Sequence, residues 1–568
     1  MSPLDWGVLA ATLGVFLLYG IWRSRGERDL SDYLLAGRAM RWPMVALSVM
    51  ATQASAVTFL STPGQGYADG LRFVQFYFGL PLAMIAICAI ALPIYNRLRV
   101  FTAYEYLERR FDGKTRTLAA ALFLVQRGLA AGITLYAPAL VLSVILGWDI
   151  RLTVALLGVL AVVYTASGGS KAVSYTQALQ FTIILGTMAL AAFLALRTLP
   201  RGVTIADASA IAGGLGRLNA LNLRFDPNDR YTLWSGLVGG FFLQLSYFGT
   251  DQSQVGRYLT GRSLSASRLG LVFNGLVKIP MQLAILSLGV LVFALSVFGH
   301  PPLHFDPATS ARVAHGAHAA EWTRLETRQR AAIATRLHDA DAVVAARRAG
   351  DAGATDSALV RLRSDQDALD AIRKDTGALI ARAAPDAPTS DTNFIFLRFV
   401  LAALPAGVIG LVFAAVFAAS MNASSAELNA LASTTVVDVV KRVWRGDTDT
   451  RHDLLVSRLI TIGWAAFAVL FGTVASRLGS LVEAVNVLGS LFYGTILGIF
   501  LTAFLLRRVG GTAVFMAALV AEITVLACFR FTGISFLWYN LIGCAVVMAG
   551  SLALSVLWPA PPAGAVTG

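Results

Sequence analysis

The chain has 568 residues, 56% of them hydrophobic and only 14% charged, with a mean hydropathy of +0.66 and a formal charge of +13. A soluble chain carries about a quarter charged residues, so a soluble domain is excluded. So is a nucleic-acid footprint, because the Lys and Arg residues gather in short loops between apolar runs and not on one soluble face.

The first apolar run, Trp6 to Trp22, has Asp5 before it and Arg23, Arg25 and Arg28 after it. A cleaved signal peptide has the opposite charge order, so the run reads as a retained helix that starts outside and ends in the cytoplasm. Further apolar runs cover 43–63, 72–95, 118–146, 150–167, 174–197, 231–249, 269–298, 394–437, 454–476, 480–506, 512–530 and 535–557. Most approach the ~20 residues that span a hydrocarbon core, and together they predict about thirteen crossings. Helices are the expected form, because lipid satisfies no exposed backbone group; the alternating segments of a barrel are absent. The 394–437 run exceeds a crossing, and its polar second half is expected to continue past the bilayer.

Basic residues crowd alternate loops: Arg23–Arg41, Arg97–Arg116, Arg257–Arg268, Lys441–Arg458 and Arg507–Arg508. The opposite short loops, 64–71 and 477–479, carry few. That alternation places the N-terminus outside and the C-terminus in the cytoplasm, in a plasma (inner) membrane. Cys88, Cys528 and Cys544 lie inside apolar runs and read as small buried hydrophobes, not as disulfides or metal ligands.

Residues 299–392 break the pattern, being rich in Ala, Arg and Asp with no apolar run before Phe394. Glu321–Arg348 and Asp356–Arg382 look helical and charged, and predict a solvated hairpin outside the membrane. A docking or gating cap is the alternative.

The chemistry concentrates in the second crossing, where Ala51 to Thr58 is small and polar. Lipid does not favour such a face. Small residues let a helix pack closely or unwind, and an unwound helix at the midplane offers carbonyls to a cation and amides to an anion. Pro63-Gly64 and Pro138 read as bends, Gly168-Gly169 as a tight cytoplasmic turn. Two cations fall within crossings, Arg127 and Lys278. A charge at a helix centre costs about 2.5–3.5 kcal/mol on insertion scales, so each should face protein or water. Arg127 has the planar fork of an anion clamp; the alternative is an Arg that ties adjacent helices through carbonyls or reaches the cytoplasmic interface. No nucleophile elbow, phosphate loop or metal-spaced His/Cys cluster occurs, so an enzyme is not expected.

Ser31-Asp-Tyr-Leu-Leu-Ala-Gly-Arg38 and the stretch from Ala51 to Tyr67 resemble the opening of the sodium:solute symporter family. Tyr164 to Gln180, Asp251 to Tyr258 and Asn429 to Arg442 resemble further motifs of that family, in order, over about residues 30–510 apart from the insert. The resemblance implies an all-α, LeuT-type fold of two inverted five-helix repeats. The first repeat would be 43–197 and the second 231–506, interrupted by 299–392. Residues 1–42 add a helix and a cytoplasmic loop; 507–568 add two helices and a short tail.

The resemblance also implies a sodium site formed by the carbonyls of Ala51, Ala54 and Ala419 and two adjacent hydroxyl positions. The latter fall here on Asn422, which offers an amide oxygen, and Ala423, which offers none. The position where some relatives hold an Asp for an additional sodium is Gln177. The solute pocket would comprise Gln53, Thr58, Tyr77, Gln244, Tyr247, Lys278 and Asn486. Tyr77 stands where sugar-transporting relatives have a Glu. Tyr247 would cover the solute from the inner side, and Asp251 and Arg257 would belong to the inner-gate scaffold.

The function implied is secondary active transport: sodium-coupled symport of a small polar organic solute or organic anion by alternating access. A sodium-independent or proton-coupled carrier, or a transporter-like receptor, is the alternative. Sodium is the expected ion, with no other cofactor, and the expected partners are the solute and the lipid bilayer, without nucleic acid. The solute's identity, the stoichiometry and the oligomeric state are not read from the chain.

Overall fold

The computed structural model describes residues 1–23, 38–167, 170–385, 387, 390–441, 450–475 and 480–558. Residues 31–37 of the first motif, Gly168-Gly169, Arg442 and the 477–479 loop lie outside the described residues, as do Arg25 and Arg28.

Every predicted crossing is occupied by helix. The chain opens with α1 (Pro3–Arg23), then α2 (Trp42–Gln53) and α3 (Ala56–Asp69), which share the second run. A 3-10 segment (Gly70–Tyr77), α4 (Leu80–Ala89) and α5 (Ala91–Leu98) make the third. The short α6 (Glu105–Arg110) leads to α7 (Gly113–Leu146), α8 (Ile150–Ser167) and α9 (Ser170–Arg197). A short helix not foreseen, α10 (Ile205–Gly214), precedes a π-helical turn (Ser235–Gly239) that runs into α11 (Gly240–Gly249). Then come α12 (Gln252–Tyr258) and α13 (Leu264–Val297). The insert holds α14 (Pro307–Ala314), α15 (Ala319–Ala349) and α16 (Ala352–Ala383). The rest is α17 (Thr392–Ala403), α18 (Val408–Thr434), α19 (Thr450–Gly472), α20 (Leu481–Leu505), α21 (Gly511–Phe531) and α22 (Phe536–Leu554). Among the described residues, nine helical stretches are long and apolar enough to cross a membrane, and three apolar helices are shorter.

Two expectations change here. The long 394–437 run is not one helix: Leu404 to Gly407 separates α17 from α18, and Gly407 adopts φ +87°, a left-handed backbone that glycine tolerates. Asp5 of α1 fixes this break, accepting from the backbone N–H of Gly407 at 2.6 Å and of Gly410 at 3.3 Å. The polar end of the run continues as a π-helix to Val440, where Asp438 accepts from Arg116 at 2.7 Å and from Thr102 at 3.0 Å. Pro63 and Pro138 sit inside α3 and α7, both of which continue through them.

The hairpin is also less solvated than expected. Leu303, Val313, Trp322, Leu325, Ile372 and Leu379 bury a small apolar core within the insert. Arg347 Nε donates to Asp207 at 3.0 Å, and Arg336 donates to the Ser296 carbonyl at 2.7 Å, so the insert docks on α10 and the end of α13. Burial tends to raise the Asp207 carboxyl, but the Thr204 hydroxyl and amide and the Arg347 guanidinium hold it below its usual range. A depressed carboxylate contributes stability that is complete above its unfolded pKa and is lost as pH falls through the folded one. Docking is therefore expected to loosen only in acid. Thr204 and Asp207 form a reciprocal capping box. Thr204→Ala should cost about 1 kcal/mol and make the 200–215 segment more protease-sensitive, by limited digestion, without altering the membrane core.

Membrane helices associate through small residues that let backbones approach, and α3 shows why its sequence is so glycine-rich. A Cβ on Gly66 would lie 2.3 Å from the Leu286 carbonyl oxygen of α13, and one on Gly64 2.0 Å from that of Thr392 at the start of α17. The α18 helix packs on α1, α7 and α9, while α20 packs on α7, α11 and α22. These contacts bring α2, α3, α7, α11, α13, α18 and α20 around one interior space.

Candidate solute and ion site

The second crossing is interrupted where its residues turn small and polar. Helix α2 ends at Gln53, Ala54 takes φ −85° and ψ 63°, and Ser55 is extended before α3 begins. Ending a helix leaves the carbonyls of its last turn without their usual donors. Thr58 Oγ donates back to the Gln53 carbonyl at 3.2 Å, and the Ala54 N–H reaches the Met50 and Ala51 carbonyls.

A cavity of about 100 Å³ adjoins this break, well above the ~10–15 Å³ that one water needs. All seven expected solute positions line it. Gln53 and Thr58 flank the break, and Gln53 also donates to Asn274 at 2.8 Å. Tyr77 accepts from Gln282, and its ring lies 5.6 Å from Lys278 Nζ, within cation–π range. Gln244 and Tyr247 enter from α11, Lys278 from α13 and Asn486 from α20. Tyr247 is anchored by Gln254, which donates to its hydroxyl at 2.7 Å. Asn486 donates to the Val482 carbonyl at 2.7 Å. Lys278 is 2% exposed, and among the described residues no carboxylate lies within ion-pair distance of it.

Arg127 also lines the cavity, but its fork is occupied. One terminal nitrogen pairs with Asp251 and donates to the Tyr493 hydroxyl at 2.8 Å; the other donates to Glu427 at 3.1 Å. Tyr493 in turn donates to Asp251 at 3.0 Å, and Thr134 donates to Glu427 at 3.3 Å. Asp251 also caps α12 through the backbone N–H and hydroxyl of Ser253. Arg127 thus joins α7, α18, α20 and the start of α12, through carboxylates and not through carbonyls. Two acids thus share one guanidinium; Glu427 lines the cavity, and its Oε2 has no partner among the described residues. Sequence reasoning missed Glu427, although the rule that singled out Arg127 applies equally to an acid inside a crossing.

The expected ion ligands are all buried: Ala51 is 1% exposed, and Ala54, Ala419 and Asn422 are 0%. Both amide atoms of Asn422 lack partners, as does the Ser424 hydroxyl. Orphaned buried polar atoms of this kind suit an ion or water between helices. Gln177 bridges α2 and α18, accepting from Ser48 at 2.8 Å and donating to the Asn422 carbonyl at 3.4 Å. It thereby presents an N–H donor on the side where a cation would need oxygen.

The family profile described as "Sodium:solute symporter family" matches residues 33–320. The human sodium/iodide cotransporter is 33% identical over 298 residues, 51% of this chain and 45% of that protein. The rabbit (Oryctolagus cuniculus) sodium-dependent multivitamin transporter is 27% identical over 513 residues, 88% of this chain and 66% of its own. Human sodium-coupled monocarboxylate transporter 1 is 35% identical over 267 residues, 47% and 43% respectively. The chain thus spans from under half to just under two thirds of the length of these relatives. A solved structure described as the substrate-bound, outward-open state of a Na+-coupled sialic acid symporter superposes with a TM-score of 0.74 and 20% identity, covering 99% of this chain and all of that one. That likeness concerns the fold: an all-α, polytopic, LeuT-type membrane protein.

Proposed function

The chain belongs to the sodium:solute symporter family, and from that premise we propose that it moves a small organic or inorganic anion across the bilayer together with sodium, by alternating access. The observation that carries this reading is the charge on the cavity wall. Arg127 is paired with two acids, whereas Lys278 faces the cavity with no carboxylate within ion-pair distance among the described residues. An anion would supply the charge-assisted acceptor that Lys278 lacks. The anion-clamp role considered for Arg127 passes to Lys278.

The relatives support the class of solute: two of the three carry iodide or monocarboxylates by their names. Gln53, Thr58, Gln244 and Asn486 would hold the solute's polar atoms, and Tyr77 and Tyr247 would enclose it. Sodium would sit between the Ala51, Ala54 and Ala419 carbonyls and the Asn422 amide oxygen, holding the broken second crossing against α18. Each ligand then stabilises the state that binds the other, a reciprocal coupling. The two repeats would be 43–197 and 231–506, with the N-terminus and the insert outside, the C-terminus in the cytoplasm and the protein in the plasma (inner) membrane. Its role would be carriage and not catalysis.

A proton-coupled carrier is the second reading, favoured by the unpartnered oxygen of Glu427. One experiment separates the two. Reconstituted protein is offered labelled acetate, lactate and iodide under an inward sodium gradient or an inward proton gradient. Sodium-driven accumulation is expected; uptake driven by protons and indifferent to sodium would overturn the proposal. Ala423→Ser provides a finer check. A hydroxyl restored beside Asn422 adds one neutral oxygen ligand, worth on the order of 1 kcal/mol or about fivefold in sodium affinity. An unchanged sodium dependence of uptake would remove Ala423 from the ion site.

A further inference from the structure

We propose that the insert encloses a second binding site, separate from the central cavity, for a small inorganic or carboxylate anion held by His304, Arg336 and Lys374. A space of about 730 Å³ opens between the α15–α16 hairpin, the ends of α3 and α13 and the start of α17. Two of its lining side chains are more than nine-tenths buried and carry polar atoms without partners. His304 is 4% exposed, and neither ring nitrogen has a hydrogen-bond partner among the described residues. An imidazole always offers at least one N–H.

Arg336 is 2% exposed. Its terminal nitrogens donate to the Ser296 carbonyl at 2.7 Å and to Gln366 at 3.3 Å, but its Nε has no acceptor. All these acceptors are neutral, and no carboxylate lies within ion-pair distance among the described residues. Burial depresses this guanidinium, as expected for a cation short of counter-charge.

The charges around the space favour an anion over a cation. Arg373 is paired with Asp391, and Arg217 lies 3.7 Å from Asp370. Among the described residues that leaves Arg336 and the exposed Lys374 without an acid in ion-pair distance, against Asp69, whose carboxylate accepts from Gln65. The frame is already held. Asp391 accepts from the Phe305 N–H at 2.6 Å, Ser310 donates to the His304 carbonyl at 3.1 Å, and Gln329 donates to the Pro302 carbonyl at 3.3 Å. An anion would find the segment that carries His304 held before it arrives, which reduces the ordering cost of binding.

The test is thermal unfolding of the purified full chain at constant sodium, with gluconate exchanged stepwise for bromide or acetate. A saturable rise in Tm is expected from either anion. His304→Leu should raise the half-saturating concentration about tenfold, the loss of roughly one charge-assisted hydrogen bond. Lys374→Gln, at an exposed position, should weaken it several-fold. Lys278→Gln, which weakens the central cavity's own anion binding, should leave intact the part of the rise that His304→Leu removes. No rise in Tm, a rise unchanged by both insert variants, or one abolished by Lys278→Gln would overturn the site. The last outcome would also leave the central-cavity reading standing, so the two proposals fail separately.

Discussion

Arg127→Met is expected to be the most destabilising single change in the membrane core. It removes the one cation that Asp251 and Glu427 share and leaves two acids beside Tyr493, where the surroundings are protein and lipid. Breaking a buried pair by removing one partner costs about 3–5 kcal/mol, because the remaining charge is uncompensated. The whole margin of a typical protein is only about 5–15 kcal/mol. The variant should therefore reach the membrane poorly and melt early. Arg127→Met combined with Glu427→Gln removes one of the two acids together with the cation they share, and should recover part of the loss. The arms of this double-mutant cycle should differ from additivity by more than 1 kcal/mol. Melting temperatures of purified variants, with surface abundance beside them, measure it. Additive losses would mean that Arg127 and Glu427 do not share charge. Asp251→Asn is a gentler companion: it keeps the Tyr493 and Ser253 contacts within reach while removing one of the two acids that face Arg127.

These partners explain which parts of the molecule could be read from its residues. The crossings were legible because burial in lipid is enforced residue by residue along a contiguous run. The break at Ala54 was legible for a related reason: small hydroxyl and amide side chains are poor lipid-facing residues and good substitutes for lost backbone bonds. The seven cavity positions came from resemblance to a family, and the fold brings all of them to one space. Charge pairing was not legible. Asp251 and Glu427 lie 124 and 300 positions from Arg127, and no local periodicity connects residues on different helices. The break between α17 and α18 was hidden because both sides are apolar and its stabilising partner, Asp5, sits at the far end of the chain. The docking of the insert was hidden likewise. Its arginines look like a solvated face until Arg336 and Arg347 are seen to bind carbonyls and a carboxylate of the core.

Lys278→Gln should give the opposite signature to Arg127→Met, and this contrast is the sharpest test of the proposed site. Lys278 is buried on α13 beside Tyr77 and, among the described residues, has no acid within ion-pair distance. Holding it there without solute carries a desolvation cost that a neutral amide of similar reach does not. The empty variant is therefore expected to be as stable as the native chain, or more so. Transport should suffer. A hydrogen bond to a charged group contributes about 1.5–3 kcal/mol, so losing it should weaken anion binding roughly ten- to a hundredfold. That loss should appear chiefly in KM for the anion, with protein abundance unchanged. The sodium ligands proposed at Ala51, Ala54, Ala419 and Asn422 are not altered, so sodium binding to the empty protein should persist. Sodium-induced stabilisation without anion uptake would then separate the two ligands of the coupled pair. If Lys278→Gln transports acetate, lactate and iodide with native KM, Lys278 is not the anion's partner. If it melts as early as Arg127→Met, its charge is neutralised by a contact other than the solute, and the cavity wall would no longer select for negative charge.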